Sequence, residues 1–257
     1  MDCAVQNYPV VVWTVKSTPG TVAPMPSSAP DAGAVLTARG RATRDRIVTA
    51  AGGLFHEHGV AGTSLDDVRL TTATSKSQLY HYFTDKAALV RAVIERQVEQ
   101  VLQAQQPELD GLDSMAGLRR WRDRVVALNE QDGCARGCPL GRLASELAAS
   151  DPVARTALAD GFASWQARLA GGLRAMRQRG ELATDADPDA LALGLLAAAQ
   201  GGLLLAQASG SLTPLQVSLD LALDGIEARL LEAPGQAGRP QRVRDTTGSS
   251  VRSRSQA

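Results

Sequence analysis

The chain has 257 residues and no formal net charge, because 27 lysines and arginines balance 27 aspartates and glutamates. With 44% hydrophobic but only 4% aromatic residues, it can bury a core built mainly from leucine, alanine and valine. This composition excludes a globally disordered chain and favours helices. Three cysteines are too few for a disulfide scaffold, so a reducing compartment is expected.

Charge is distributed unevenly along the chain. Basic side chains exceed acidic ones in residues 39–96 and 233–257, whereas acidic side chains are in excess in residues 97–232. If this distribution is functional, contact with a polyanion is confined to one part of the fold. Chance unevenness is the alternative interpretation.

The two ends of the chain are predicted to be disordered. Residues 1–40 are rich in proline and are interpreted as an N-terminal arm, and residues 233–257 as a basic tail rich in Gly, Pro, Ser and Arg. No basic residue precedes Lys16, so a secretory signal is not expected. The most apolar stretch, 190–209, is interrupted by polar residues, so no membrane span is expected and the location is predicted to be cytoplasmic.

Between these ends the chain is predicted to be helical throughout. Apolar residues recur at helical spacing over 43–58, which predicts a first helix that Gly59 ends. Ser64 begins a second helix with a capping-box pattern, and this helix ends at about Thr71.

Two further helices follow closely. A second capping-box pattern at Ser75 predicts a third helix over 76–83, and Asp85 caps a fourth that runs to about Gln106, where Pro107 stops it. Two short helices joined by a few residues and packed against a preceding helix form the helix-turn-helix pattern.

These segments resemble the DNA-binding domain of TetR-type (TetR/AcrR-like) transcriptional regulators. The resembling stretches are 43–59, 64–68, 75–83 and 85–89. The resemblance implies an all-α protein in which residues 41–90 form a three-helix DNA-binding domain and a C-terminal helical domain binds a ligand and dimerises.

One residue departs from the family pattern. Ala73 stands in the turn between the two short helices, where the family usually has glycine. If the turn requires a positive φ, alanine costs about 1–2 kcal/mol there. A slight loss of stability or a shifted third helix is therefore expected.

The third helix is predicted to read bases. Leu79 and Phe83 define its buried side, so at about 100° per residue the opposite side faces outward. Glutamine can pair with adenine, lysine can donate to guanine, and an aromatic ring can pack on the thymine methyl group. The predicted base-reading residues, which the resemblance supports, are Lys76, Ser77, Gln78, Tyr80 and His81. The alternatives are that Gln78 only completes a capping box and that Tyr80 only packs.

The resemblance also suggests residues that hold phosphates. Helix ends suit this role because their backbone N–H groups add positive potential. The predicted phosphate-contacting and positioning residues are Thr43, Ser64, Ser75, Tyr82 and Lys86, with Tyr82 as a packing residue in the alternative. The expected partner is a double-stranded DNA operator that forms an inverted repeat.

Residues 91–232 are predicted to form the helical effector-binding and dimerisation domain. Its helices are expected over 114–131, 139–149, 153–179, 188–209 and 214–232, separated by Gly- and Pro-containing breaks. Residues 137–146 and 200–206 are similar to the C-terminal domain of one TetR-type subgroup, which implies a homodimer. Residues 188–232 carry Leu and Ala on all sides, so they are buried against a partner copy or, alternatively, within the monomer.

A small-molecule effector is implied by the family resemblance alone. Large, adaptable apolar side chains of the second domain could line its pocket. The candidates are Met115, Trp121, Phe162, Trp165 and Met176, and plain core packing is the alternative for each. The predicted function is a ligand-responsive, sequence-specific regulator, a repressor released from its operator by the effector.

Other classes of function have weaker support. Cys134 and Cys138 have no second ligand pair at finger-like spacing, and His56 and His58 face different sides of a helix, so no metal and no cofactor is expected. Arg136 could lower a thiol pKa, which leaves a redox-responsive regulator of the same fold as one alternative. A non-specific DNA-coating protein is the other alternative. No nucleophile elbow, phosphate loop or dinucleotide fingerprint occurs, so no enzyme is expected.

Overall fold

The computed structural model describes residues 37–134 and 137–231. The described helices belong to one compact unit that begins at Ala38. The tail predicted over 233–257 lies outside the described residues, as does the predicted arm apart from residues 37–40.

The described residues form nine α-helices and one short 3₁₀ turn. In chain order the helices are α1 (Ala38–His58), α2 (Leu65–Thr72), α3 (Lys76–Tyr82), α4 (Lys86–Ala104), α5 (Met115–Gln131), α6 (Pro139–Leu147), α7 (Pro152–Gln178), α8 (Pro188–Ser209) and α9 (Thr213–Glu227). The 3₁₀ turn, Glu108–Asp110, lies between α4 and α5. The predicted all-α fold is confirmed.

Side-chain caps fix where most of these helices start. A hydroxyl or carboxylate oxygen at the N-cap accepts a hydrogen bond from a backbone N–H of the first turn, which would otherwise lack a partner. The capping residues are Ser64, Ser75, Asp85, Ser114, Asp151 and Asp187. Because these caps are local sequence signals, the predicted starts of these helices lie close to the observed ones.

The first helix begins earlier than predicted. It starts at Ala38 instead of 43, and the Thr43 hydroxyl donates to the Arg39 carbonyl at 3.0 Å within the helix. The apolar periodicity marks only the buried part of α1, so the exposed first turns carry no such signal. Thr43 is therefore inside the helix and not at its end, contrary to the prediction.

The last helix ends earlier than predicted. The prediction of 214–232 was wrong at its C-terminal end, because α9 stops at Glu227. Leu230 then forms an isolated antiparallel bridge with buried Leu182, flanked by N–H···O bonds of 2.9 and 2.8 Å. This pairing gives hydrogen-bond partners to the segment between α7 and α8, which a continued helix could not supply.

Two apolar clusters form the core, and α4 contributes to both. The first cluster joins α1–α4 to α6 and the beginning of α7, and the second joins α5, α7, α8 and α9. Ile94 of α4 is buried in the first cluster, whereas Leu102 packs against the second. Leu140 and Leu143 of α6 belong to the first cluster. Helix α6 is thus packed directly on the cluster formed by α1–α4.

Helices α8 and α9 approach each other closely at Gly202. A Cβ atom added to Gly202 would lie 2.8 Å from the Leu215 Cα atom, so no larger residue fits there. Among the described helices, α8 is also long and apolar enough to cross a membrane, with a mean hydropathy of 1.6 over its most apolar window. A single such helix is weak evidence for a membrane protein, because core helices pass the same test.

Candidate functional site

In the turn between α2 and α3, the backbone of Ala73 adopts a left-handed conformation. Its φ and ψ are 50° and 34°, and its N–H donates to the Leu70 carbonyl at 3.2 Å. The buried hydroxyls of Thr72 and Thr74 lie 2.6 Å apart on either side of Ala73. This threonine pair, which the sequence analysis did not single out, forms a buried hydrogen bond across the turn between α2 and α3.

Replacing Ala73 by glycine should stabilise the protein, because alanine pays a steric cost in the left-handed region. We expect the free energy of unfolding of Ala73→Gly to rise by about 1 kcal/mol in a denaturant titration. Ala163→Gly, at an exposed position inside α7, serves as the control and should lower the free energy of unfolding by about 1 kcal/mol. A loss of stability in Ala73→Gly would show that the turn is unstrained.

Helix α3 presents the predicted base-reading residues to solvent. Lys76, Ser77, Gln78, Tyr80 and His81 are all exposed. Leu79 between them is 1% exposed and anchors the helix on the core, while Tyr80 is 46% exposed. The polar face of α3 is therefore free to enter a groove.

Gln78 also completes a capping box, as its alternative interpretation proposed. The Ser75 N–H donates to Gln78 Oε1 at 3.0 Å, and the Gln78 N–H donates to Ser75 Oγ at 3.1 Å. The amide NH₂ group of Gln78 takes no part in this box. Gln78 thus has a structural role whether or not it contacts bases.

The predicted phosphate-contacting residues occupy different environments. Ser64 and Ser75 are the N-caps of α2 and α3, and Lys86 is the first residue of α4. Tyr82 is half-buried against the core, and its ring meets the His81 ring edge-on at a centroid distance of 5.0 Å. Ser64, Ser75 and Lys86 are the residues that the fold places at helix N-termini.

The capping box of α2 lowers the pKa of the Asp67 carboxyl. Hydrogen bonds from the Ser64 hydroxyl and backbone N–H hold the pKa of the Asp67 carboxyl below its usual value. Asp67 therefore stays ionised at neutral pH and keeps the first turn of α2 capped.

A cavity of about 490 Å³ lies between helix α1 and helices α4 to α8. Its walls come from α1 (Phe55), α4 (Val101), α5 (Asn129), α6 (Leu143), α7 (Trp165) and α8 (Leu203). Its size is typical of sites for small molecules. The lining residues from α1 were not predicted, because they lie outside the predicted effector-binding domain 91–232. Those from α4, such as Val101, lie inside that domain but were not among the candidates.

Only one of the five predicted effector-pocket residues lines this cavity. Trp165 borders it, whereas Met115, Trp121, Phe162 and Met176 do not. Trp121 and Met176 are at most 1% exposed in the second core cluster. The indole Nε1 of Trp121 donates to Gln105 Oε1 at 2.7 Å. These four side chains pack in or against the core, as the alternative interpretation proposed.

The structure describes two cysteines, of which Cys134 is buried and Cys138 is half-buried. Both Cys134 and Cys138 are free, and burial raises the pKa of Cys138 despite an opposing hydrogen bond from the backbone N–H of Gly141. Arg136, which could lower a thiol pKa according to the sequence analysis, lies outside the described residues. Over residues 37–134 and 137–231, no group of three or more His, Cys, Asp or Glu side chains could hold a metal ion.

Helices α8 and α9 carry an exposed apolar surface, which we call the α8–α9 face. Its large apolar residues, each at least 50% exposed, are Leu193, Leu204, Leu205, Val217 and Leu221. Leu193 and Leu204 are eleven positions apart, which places them on the same side of α8. Apolar surface of this kind usually marks an interaction site.

Two capped short helices with an exposed polar face, packed on a preceding helix, define a helix-turn-helix DNA-binding protein. Residues 47–93 match the family described as "Bacterial regulatory proteins, tetR family", and residues 114–221 match "Tetracyclin repressor-like, C-terminal domain". An uncharacterised HTH-type transcriptional regulator of Lactococcus lactis is 33% identical over 192 residues, covering 73% of this chain and 94% of the relative. The chain belongs to the TetR family of transcriptional regulators, whose members bind DNA operators and dimerise.

Solved structures agree with this assignment. A regulatory protein TetR from Rhodobacter sphaeroides has a TM-score of 0.62 and 29% identity, covering 71% of this chain and 97% of that one. SmeT, the repressor of the Stenotrophomonas maltophilia multidrug efflux pump SmeDEF, has a TM-score of 0.54 and 25% identity, covering 79% of this chain and 98% of SmeT. A SmeT–triclosan complex gives a TM-score of 0.55, 26% identity and coverage of 78% and 99%.

Proposed function

We propose that this protein is a homodimeric repressor that reads an inverted repeat through α3 and is released when a small molecule occupies its cavity. The observation that carries the proposal is the exposed polar face of α3, anchored by buried Leu79. Five neighbouring side chains on this short helix can donate to or accept from base edges. The positions of Ser75 and Lys86 at the N-termini of α3 and α4 support a role for both residues in holding phosphates.

Dimerisation is proposed to use the α8–α9 face. A face of leucine and valine is costly to leave in water, and a second copy of the same face would cover it. Its small residues favour close approach, since a Cβ atom added at Gly194 or Gly201 would meet nothing within 4 Å. Two copies related by a two-fold axis would present two α3 helices to the two halves of an inverted repeat.

Ligand responsiveness is supported by the position of the cavity. Its walls include α1 and α4 of the DNA-binding part as well as α5 to α8. A ligand that fits only one arrangement of these helices shifts the population towards that arrangement. SmeT, a repressor with a triclosan complex, supports both the repressor role and the small-molecule class of effector by analogy.

Helix α6 is proposed to transmit occupancy of the cavity to the DNA-binding helices. Its first turns line the cavity through Pro139 and Leu143. Near its other end, Glu146 Oε1 accepts a hydrogen bond of 2.8 Å from the Ala61 N–H in the loop between α1 and α2. A displacement of α6 would therefore act directly on the loop that precedes α2.

Removing the Glu146 carboxylate should weaken coupling without abolishing either binding event. In Glu146→Ala, the ratio of operator affinities without and with saturating ligand should fall by about 5- to 10-fold. The measurement is fluorescence anisotropy of labelled operator at fixed salt. Glu227→Ala is the matched control, because it also breaks a hydrogen bond between two elements, to Arg119 at 2.7 Å, but away from the cavity. An unchanged ratio in Glu146→Ala would exclude this contact as the link.

The proposed function is tested by selecting DNA from a random pool with the purified protein and repeating the binding with small molecules. We expect enrichment of one inverted repeat and its loss of affinity when a ligand is present. Enrichment of no sequence would instead indicate a DNA-coating protein. A response only to oxidants would indicate the redox-responsive alternative.

A further inference from the structure

The inner wall of the cavity is mainly apolar but contains hydrogen-bonding side chains. Apolar contacts are available from Phe55, Val93, Val101, Val125, Leu128 and Leu203. Among them lie the indole of Trp165 from α7 and the carboxamide of Asn129 from α5. A molecule in this cavity would therefore meet apolar surface together with polar side chains, which also include Gln97, Gln100, Gln105 and Gln131.

The donors of these two side chains are buried without a partner. Trp165 is 2% exposed and Asn129 is 6% exposed, yet neither Trp165 Nε1 nor Asn129 Nδ2 has a hydrogen-bond partner. The indole nitrogen can only donate, so its need is for an acceptor. Buried donors without acceptors are rare in folded proteins because they lose their hydration without compensation. Trp121 shows the usual arrangement, since its Nε1 donates to Gln105.

The side chains of the cavity that can carry a charge are less buried than Trp165 and Asn129. Among the described residues that line it, the ionisable side chains Glu57, Asp132 and Arg142 are exposed, and His56 is half-buried. No described Lys, Arg or His side chain of the lining is buried in the wall with Trp165 and Asn129. An ionised carboxylate placed there would lose its hydration without a paired charge. The acceptor that these donors suit is uncharged.

We infer that the cavity binds an uncharged, mainly apolar small molecule whose carbonyl-type oxygen accepts hydrogen bonds from Trp165 Nε1 and Asn129 Nδ2. This inference rests on the proposed ligand responsiveness and names the class of ligand. The apolar walls take up the body of the ligand, and the two donors fix its orientation. A hydrocarbon of the same shape would leave both donors unpaired.

Matched probes test this preference on the full-length, DNA-free protein by isothermal titration calorimetry. One set is acetophenone, ethylbenzene and benzoate, and a larger set is 2-acetylnaphthalene, 2-ethylnaphthalene and 2-naphthoate. In at least one set the ketone should bind at least about tenfold more tightly than both the hydrocarbon and the carboxylate. Equal binding of ketone and hydrocarbon, tighter binding of the carboxylate, or no binding by either ketone would overturn the inference.

Variants assign the preference to the two donors. Trp165→Phe keeps an aromatic ring but removes the N–H, and Asn129→Leu removes the other donor; each should reduce the ketone preference by about threefold or more. Trp121→Phe is the matched control, because that indole does not line the cavity. It should lower the melting temperature through its lost hydrogen bond and keep the ketone preference. A preference that survives in both Trp165→Phe and Asn129→Leu would exclude these donors as the recognition groups.

The inference and the proposed function fail in different ways. Ketone binding that leaves operator affinity unchanged would overturn ligand-induced release and leave the ligand class supported. Release of operator by a carboxylate or a cation, with no ketone binding, would support the regulator and overturn the ligand class.

Discussion

Replacing Leu221 by glutamate should convert the dimer to a monomer and reduce operator affinity by at least about 100-fold. Leu221 is 65% exposed on α9 in the isolated chain, so the change costs the monomer little. In a dimer the same position would be covered by the partner copy. An unpaired carboxylate buried there costs about 3–5 kcal/mol, which corresponds to two or more orders of magnitude in association.

The loss of operator binding follows from the loss of symmetry. In the proposed binding mode one α3 helix reads one half-site, and two half-sites must be engaged together for tight binding. A monomer retains only the weaker half-site contact. Light scattering coupled to size exclusion measures the mass, and anisotropy with labelled operator measures the affinity.

The control for this experiment is another exposed apolar residue that lies outside the α8–α9 face. Val153 at the start of α7 is 52% exposed, and Val153→Glu should leave the protein dimeric with unchanged operator affinity. Leu204→Glu, at 66% exposure on α8, should reproduce the effect of Leu221→Glu. Dimers that persist in both leucine variants would exclude this face as the interface.

The helices could be predicted from sequence where local chemistry defines them. Ser64, Ser75 and Asp85 are caps whose hydrogen bonds reach no further than three residues, so they act whatever the rest of the chain does. The end of α9 could not be predicted in the same way. It depends on pairing between Leu230 and Leu182, which are distant in sequence. Local propensity alone favours continuing the helix there.

The exposed face of α3 and the cavity differ for the same reason in how well the sequence predicts them. The candidate reading face lies within the single helix α3, so periodicity from Leu79 is enough to predict which side chains it exposes. The cavity is assembled from six helices, and residues such as Phe55 and Leu203 meet there only through packing. The pocket residues were predicted from their size and apolar character, which selected Trp121 and Met176. A core uses the same residue types as a pocket, and both side chains lie in the core. Buried donors without a hydrogen-bond partner, such as Trp165 Nε1, can be identified only from the structure.

The reading face itself is best tested at Tyr80. Gln78→Ala is ambiguous, because it removes a capping box as well as the proposed base contact, and the first effect alone lowers stability. Tyr80 is 46% exposed on the same face and has no such role in the cap. Its truncation can therefore change recognition with little change in folding.

Tyr80→Ala and Lys86→Ala should fail in different ways on DNA. Tyr80→Ala should lose about 1–3 kcal/mol on the selected operator and relax the preference at one or two base pairs per half-site, because its ring would contact base edges. Lys86→Ala should weaken selected and random DNA nearly alike and reduce the salt dependence of binding, since a phosphate contact carries no direct sequence information. Selection from a random pool and a melting curve for each variant separate the two effects. A Tyr80→Ala protein that melts normally and selects the wild-type sequence would place a different face of α3 in the groove.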